Sequence, residues 1–116
     1  MESNPIIIKM EANENEFLEA EDVKLIRAAN LELSENKSFC VLLDTGKGYF
    51  NVSPEGNKLL ASKEYSQMRL ATAIIAKSFA TKLAGNFFIR FNKPSTPTRL
   101  FTDETAAVNW LKGFAK

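Results

Sequence analysis

Phe39-Cys40-Val41-Leu42-Leu43 is a continuous apolar run, closed on one side by Lys37-Ser38 and on the other by Asp44-Thr45-Gly46. A strand with one wet face alternates apolar and polar residues, so an uninterrupted run predicts a strand covered on both faces, in the middle of a sheet. A chain of 116 residues with 45% hydrophobic and 25% charged residues has room for one core around such a strand. Residues 1–116 are expected to form a single domain.

The segments on either side supply the other layers. Ile6-Ile7-Ile8 is a β-branched run that predicts a strand over Pro5 to Ala12, turned by Asn13 to Asn15. From about Glu19 to Asn36, Val23, Ile26, Ala29 and Leu33 recur at the spacing of one buried helix face, with Glu19, Glu21 and Asp22 at the positive end of the helix dipole. Ser53-Pro54-Glu55 combines an N-cap, a proline at the first helical position and an acidic first turn, predicting a short helix to about Ser62 seated by Leu59 and Leu60. Pro94 and Pro97 enforce an extended segment before a strand at Arg99-Leu100-Phe101. Thr102 is then expected to cap a last helix with Ala107, Trp110, Leu111 and Phe114 on one face, Asp103 and Glu104 in its first turn, and Lys112 and Lys116 at its end.

Residues 69 to 92 allow two parsings. Ala71 to Ala84 resembles one long alanine-rich helix, with Gly85-Asn86 turning into a strand at Phe87-Phe88-Ile89-Arg90-Phe91. Alternatively, Ile74-Ile75 centres a buried strand, Ser78 caps a new helix, and Phe79, Leu83 and Phe87 share one helical face. Gly85 would then cost about 1 kcal/mol inside a helix relative to alanine, tolerable where a neighbour packs closely. Local propensity leaves both parsings open.

Several function classes fall away on composition. The sequence contains no histidine, which removes Ser-His-Asp and Cys-His catalysis and the usual zinc sites, and Cys40 lies alone within its apolar run. No catalytic residues, metal or cofactor are expected, and the chain is not expected to be an enzyme. Fifteen basic against 14 acidic residues leave a net charge of +1, with no broad field favouring nucleic acid. The start lacks the basic region and apolar stretch of a signal peptide, and no run is long enough to span a membrane. A cytoplasmic location is expected. Gly46 and Gly48 lack the spacing of a P-loop.

With the second parsing, strands and helices alternate in the βαβ manner of a largely parallel sheet. That order resembles the SpoIIAA-like domains of the STAS class, in a small bacterial family of unknown function. The resemblance is carried by Ala71-x-Ala73-Ile74-Ile75-x-x-Ser78, Gly85-Asn86-Phe87-Phe88, Lys93-Pro94, Pro97-Thr98-Arg99-Leu100-Phe101-Thr102 and Ala107-x-x-Trp110-Leu111. It is sharp over residues 70 to 114, moderate from 19 to 62 and poor before that. It implies an α/β fold, a mixed and mainly parallel sheet of about four strands with alternating helices, with a strand at about 71 to 76 and a helix at about 78 to 92. It also implies a non-enzymatic regulatory domain that docks other proteins or small ligands. The class usually switches by phosphorylating a serine in an Asp-Ser-x-Gly segment. Here Phe50-Asn51-Val52-Ser53-Pro54-Glu55-Gly56 has the serine without the aspartate or the correctly placed glycine, so Ser53 is expected to be a plain cap.

Candidate sites follow from this frame. In open α/β sheets, ligands settle at the carboxyl ends of strands, which would gather Asp44, Thr45, Lys77, Ser78, Thr102 and Asp103 into a rim with Ser53 nearby. Enzymatic chemistry would require Asp44, Lys77 or Asp103 to converge there. Phe79, Leu83, Phe87, Phe88 and Phe91 make a helix apolar nearly all round, expected to be an interface or the wall of an apolar pocket. Arg90, Lys93 and Arg99 flank the proline loop as a small basic patch. Only one convincing strand precedes the first helix, which would leave an exposed sheet edge and predicts a homodimer through these strands or the aromatic helix. The alternative is a domain that binds a small apolar ligand or lipid.

Overall fold

The computed structural model describes residues 6–12, 15–48 and 50–114. Pro5, the first two residues of the expected 13–15 turn, and Lys116 lie outside them. The chain forms β1 (Ile6–Glu11), β2 (Glu16–Leu18), α1 (Ala20–Leu33), β3 (Phe39–Asp44), β4 (Phe50–Val52), α2 (Pro54–Ala61), β5 (Arg69–Ile75), α3 (Phe79–Phe87), β6 (Thr98–Phe101) and α4 (Glu104–Lys112). The main sheet has strand order β1-β3-β5-β6, a separate pair joins β2 to β4, and every pairing is parallel. This is the expected α/β architecture, with β3 in the interior of the sheet.

Strand periodicity divides the core into two layers. Cys40, Leu42, Ala71, Ala73 and Ile75 point to one face, where they meet Ala107 and Leu111 of α4. The two alanines of β5 let that helix lie close. Phe101, Trp110 and Phe114 close the edge of this layer, with successive ring centroids 5.6 and 5.0 Å apart. Lys9 of β1 reaches Glu104 of α4 at 3.1 Å across the same face. Ile8, Phe39 and Val41 point to the opposite face, which α1, α2 and α3 cover. The three crossovers therefore share one side of the sheet, and strand order advances without reversal.

The segment with two parsings adopts the second. β5 is a strand, and Ser78 caps α3 by accepting the Thr81 amide at 3.1 Å. Gly85 sits inside the helix because a Cβ there would come within 2.7 Å of Leu100 Cδ2 on β6. After Phe87 the helix widens into a π turn, Phe88–Asn92, and ends at Lys93, whose left-handed backbone (φ 49°) precedes Pro94. No helix among the described residues is long and apolar enough to cross a membrane.

Three local expectations need correction. A second short strand, β2, does precede α1, and it pairs with β4 because that pair forms its own small sheet beside the main one. The buried face of α1 is rotated from the expected one: Val23 is buried, but Leu33 is 68% exposed and Ala29 also faces outward, while Asn30 and Ser34 are buried. The last helix is capped by Asp103, whose carboxylate accepts the Ala106 amide at 2.9 Å, so Thr102 stays exposed outside it.

Candidate functional site

The residues expected at the carboxyl rim are occupied with local structure. Thr45 is buried and holds the Ile75 carbonyl through both its hydroxyl (2.7 Å) and its amide (3.1 Å). Asp44 accepts the Gly46 amide at 2.9 Å, closing the turn in which Gly46 has φ 70°. Ser53 is only 6% exposed and accepts the Gly56 amide at 3.1 Å as the cap of α2. Ser78 and Asp103 cap α3 and α4, and Lys77 and Thr102 are exposed. Thr102 and Asp103 share an open groove with Lys82 and Asn86; Asp44, Thr45, Ser53, Lys77 and Ser78 do not line it. Ligand crevices at strand ends open where strand order reverses, and this order does not reverse.

The opposite arrangement holds under the crossovers. Between the sheet face and α1, α2 and α3 lies a cavity of about 140 Å³. Its wall includes Met10, Val41, Leu43, Ile74, Leu60 and Phe88. Polar groups enter this wall from α1 and β5. Arg27 and Asn30, one turn apart, extend the inward stripe begun by Val23 and Ile26, and Arg69 opens β5. Arg27 donates from Nη2 to the Glu64 carbonyl at 3.2 Å and lies 4.7 Å above the Tyr65 ring. Arg69 donates from Nη2 to the Leu60 carbonyl (2.7 Å) and the Ser66 hydroxyl (2.8 Å). The Nε of each arginine is buried without an acceptor, and neither guanidinium has a carboxylate partner among the described residues. Burial pushes the Arg69 guanidinium down to about 10, so it remains charged at neutral pH.

The helix α3 and its π turn serve two surfaces. Thr81, Ala84, Gly85 and Phe88 line the cavity. Phe79 (75%), Leu83 (55%), Phe87 (58%) and Phe91 (64%) are exposed on the outer side, with the Phe87 and Phe91 rings 4.4 Å apart. The five apolar candidates thus separate: Phe88 belongs to the cavity and the other four to the outer face. Thr81, 3% exposed, fixes the helix by accepting the Phe50 amide at 3.2 Å and donating to the Gly48 carbonyl at 3.4 Å.

Cys40 is fully buried, its thiol raised above the ordinary value by desolvation, so it is a packing residue. Sequence reasoning missed Arg27, Asn30, Arg69 and Thr81 as site residues. The available signal was Arg27 and Asn30 at helical spacing from Val23 and Ile26.

Comparison with curated proteins and with solved structures finds no match. A family model does match, over residues 1–115, and the chain belongs to that family, described as a domain of unknown function, DUF7793.

Proposed function

We propose that this domain is a non-enzymatic regulatory module of STAS type that docks a protein partner through the outer face of α3, and that this partner is a second copy of the chain. The observation that carries the reading is the exposed row Phe79, Leu83, Phe87 and Phe91. Contiguous exposed apolar surface of this kind marks interaction sites.

Charge supports the choice of occupant. Residues 77–93 contain Lys77, Lys82, Arg90 and Lys93 and no acidic side chain. On the outer face of α1, Leu25 and Leu33 are 70% and 68% exposed beside the exposed Glu32, while Glu21 and Glu35 are paired with Lys24 and Lys37. Helix α2 packs against both α1 and the π turn, so the two stripes flank it on one side of the sheet. A two-fold axis over α2 would place α1 of each copy on α3 of the other, an isologous contact that closes as a dimer.

Light scattering across micromolar concentrations tests this, on wild type, Phe87→Asp, Glu32→Lys, Arg90→Glu and the double charge exchange. The expected result is a wild-type dimer, monomers for each single variant, and recovery of the dimer in the double. A monomeric wild type would refute the reading; a monomer that sediments with anionic vesicles would assign the face to lipid instead. A second reading, a domain that binds a small apolar ligand, is favoured by the cavity on the inner side of the same helix.

A further inference from the structure

The geometry points to the cavity as a site for a small hydrophobic carboxylate, its ring or short chain held between the sheet and the three helices and its charge met by Arg27 and Arg69. This rests on the ligand-binding reading and not on docking through α3.

Three observations carry it. The first is size. Protein interiors contain few voids larger than a water molecule, and this cavity of about 140 Å³ is close to an apolar cavity of about 150 Å³ known to bind benzene. That accommodates an aryl ring or a short alkyl group.

The second is charge. Two guanidiniums enter one largely apolar wall with only neutral protein acceptors: two carbonyls and a hydroxyl. Burying the Arg69 charge without a counter-charge is costly, and a carboxylate placed between the two arginines would offset it.

The third is which donors the protein leaves over. Both arginines are tethered through Nη2 to the same segment, Leu60 to Ser66, while both Nε groups are buried and unmet. Nη1 of each guanidinium makes no hydrogen bond among the described residues and is not among the buried donors, so one terminal N–H from each arginine is left to meet the two oxygens of a carboxylate. Asn30 adds a third donor beside them. Its amide meets only the Met10 sulfur, at 3.9 Å. A phosphate dianion would bring more oxygens and charge than these groups satisfy.

The test uses the full chain with phenylacetate, its neutral isostere phenylacetamide, and dodecanoate, read by calorimetry and thermal shift. Phenylacetate is expected to bind and raise the melting temperature, and phenylacetamide to bind about tenfold more weakly or worse. Arg27→Met and Arg69→Met should each erase the difference between acid and amide. If Arg69→Met does not fold, Arg27→Lys serves instead: it keeps the charge but not the planar terminal donors, and should lose most of the preference. Equal binding of acid and amide, no binding of phenylacetate at millimolar concentration, or tighter binding of dodecanoate would each overturn the proposal. Repeating the titration on monomeric Phe87→Asp separates it from docking: the preference for the acid should survive there.

Discussion

Replacing Thr81 by valine keeps the side chain's shape and removes one hydroxyl that joins two parts of the fold. That oxygen accepts the Phe50 amide at 3.2 Å and the Ser78 hydroxyl at 2.8 Å, in a side chain 3% exposed. Ser78 is half-buried and keeps its capping bond to the Thr81 amide, so water can replace what it loses. The bond to Gly48 at 3.4 Å is long and contributes little. Phe50 is different: its amide would be left buried without an acceptor, at a cost of about 1–3 kcal/mol. The new methyl returns at most about 0.8 kcal/mol, so the expected net loss is about 1–2 kcal/mol. Urea unfolding measures it against a total of about 5–15 kcal/mol for an ordinary domain. Amide exchange at Phe50 should accelerate in Thr81→Val and stay slow in Thr81→Ser, which keeps the hydroxyl. A valine variant as stable as wild type, with Phe50 still protected, would refute the reasoning.

Gly56→Ala should destabilise by about 1–2 kcal/mol despite better helix propensity, because its Cβ would meet Val52 Cγ1 at 2.6 Å, the capping Ser53 Oγ at 3.2 Å and Val23 Cγ2 at 3.3 Å. An unchanged urea midpoint would show that these three side chains yield freely. Cys40 gives a pH prediction. Burial raises its thiol above 9.0, so the unfolded chain ionises first and its contribution is intact below about pH 9 and lost as pH rises through the folded value. Wild type should therefore lose stability relative to Cys40→Ala above that pH; parallel curves would contradict it.

β3 was legible because burial on both faces writes an unbroken apolar run, Phe39 to Leu43, and α2 and α3 because Ser53, Pro54 and Ser78 punctuate helices by their own chemistry. Gly85 was the pivot of the ambiguous stretch, and its meaning depended on Leu100, distant in sequence. β2 and β4 were illegible because strands as short as Glu16–Leu18 and Phe50–Val52 carry no measurable periodicity. The rotation of α1 was hidden for another reason. Apolar periodicity assumes that leucines face inward, whereas Leu33 lies outside and Arg27 and Asn30 line the cavity wall. The rim followed from a rule about reversing sheets, and strand order here does not reverse.

Docking between α1 of one copy and α3 of another is tested most directly by cysteine cross-linking, since Cys40 is buried and does not compete. Leu33→Cys and Leu25→Cys proteins are each mixed with Leu83→Cys and oxidised mildly; a disulfide requires Cα atoms about 4.4–6.8 Å apart. The account predicts mixed dimers between α1 and α3 thiols in at least one pairing, lost when Phe87→Asp is added. Failure of every mixed pair, or a dominant Leu83→Cys homodimer, would contradict it, the latter by placing α3 against α3.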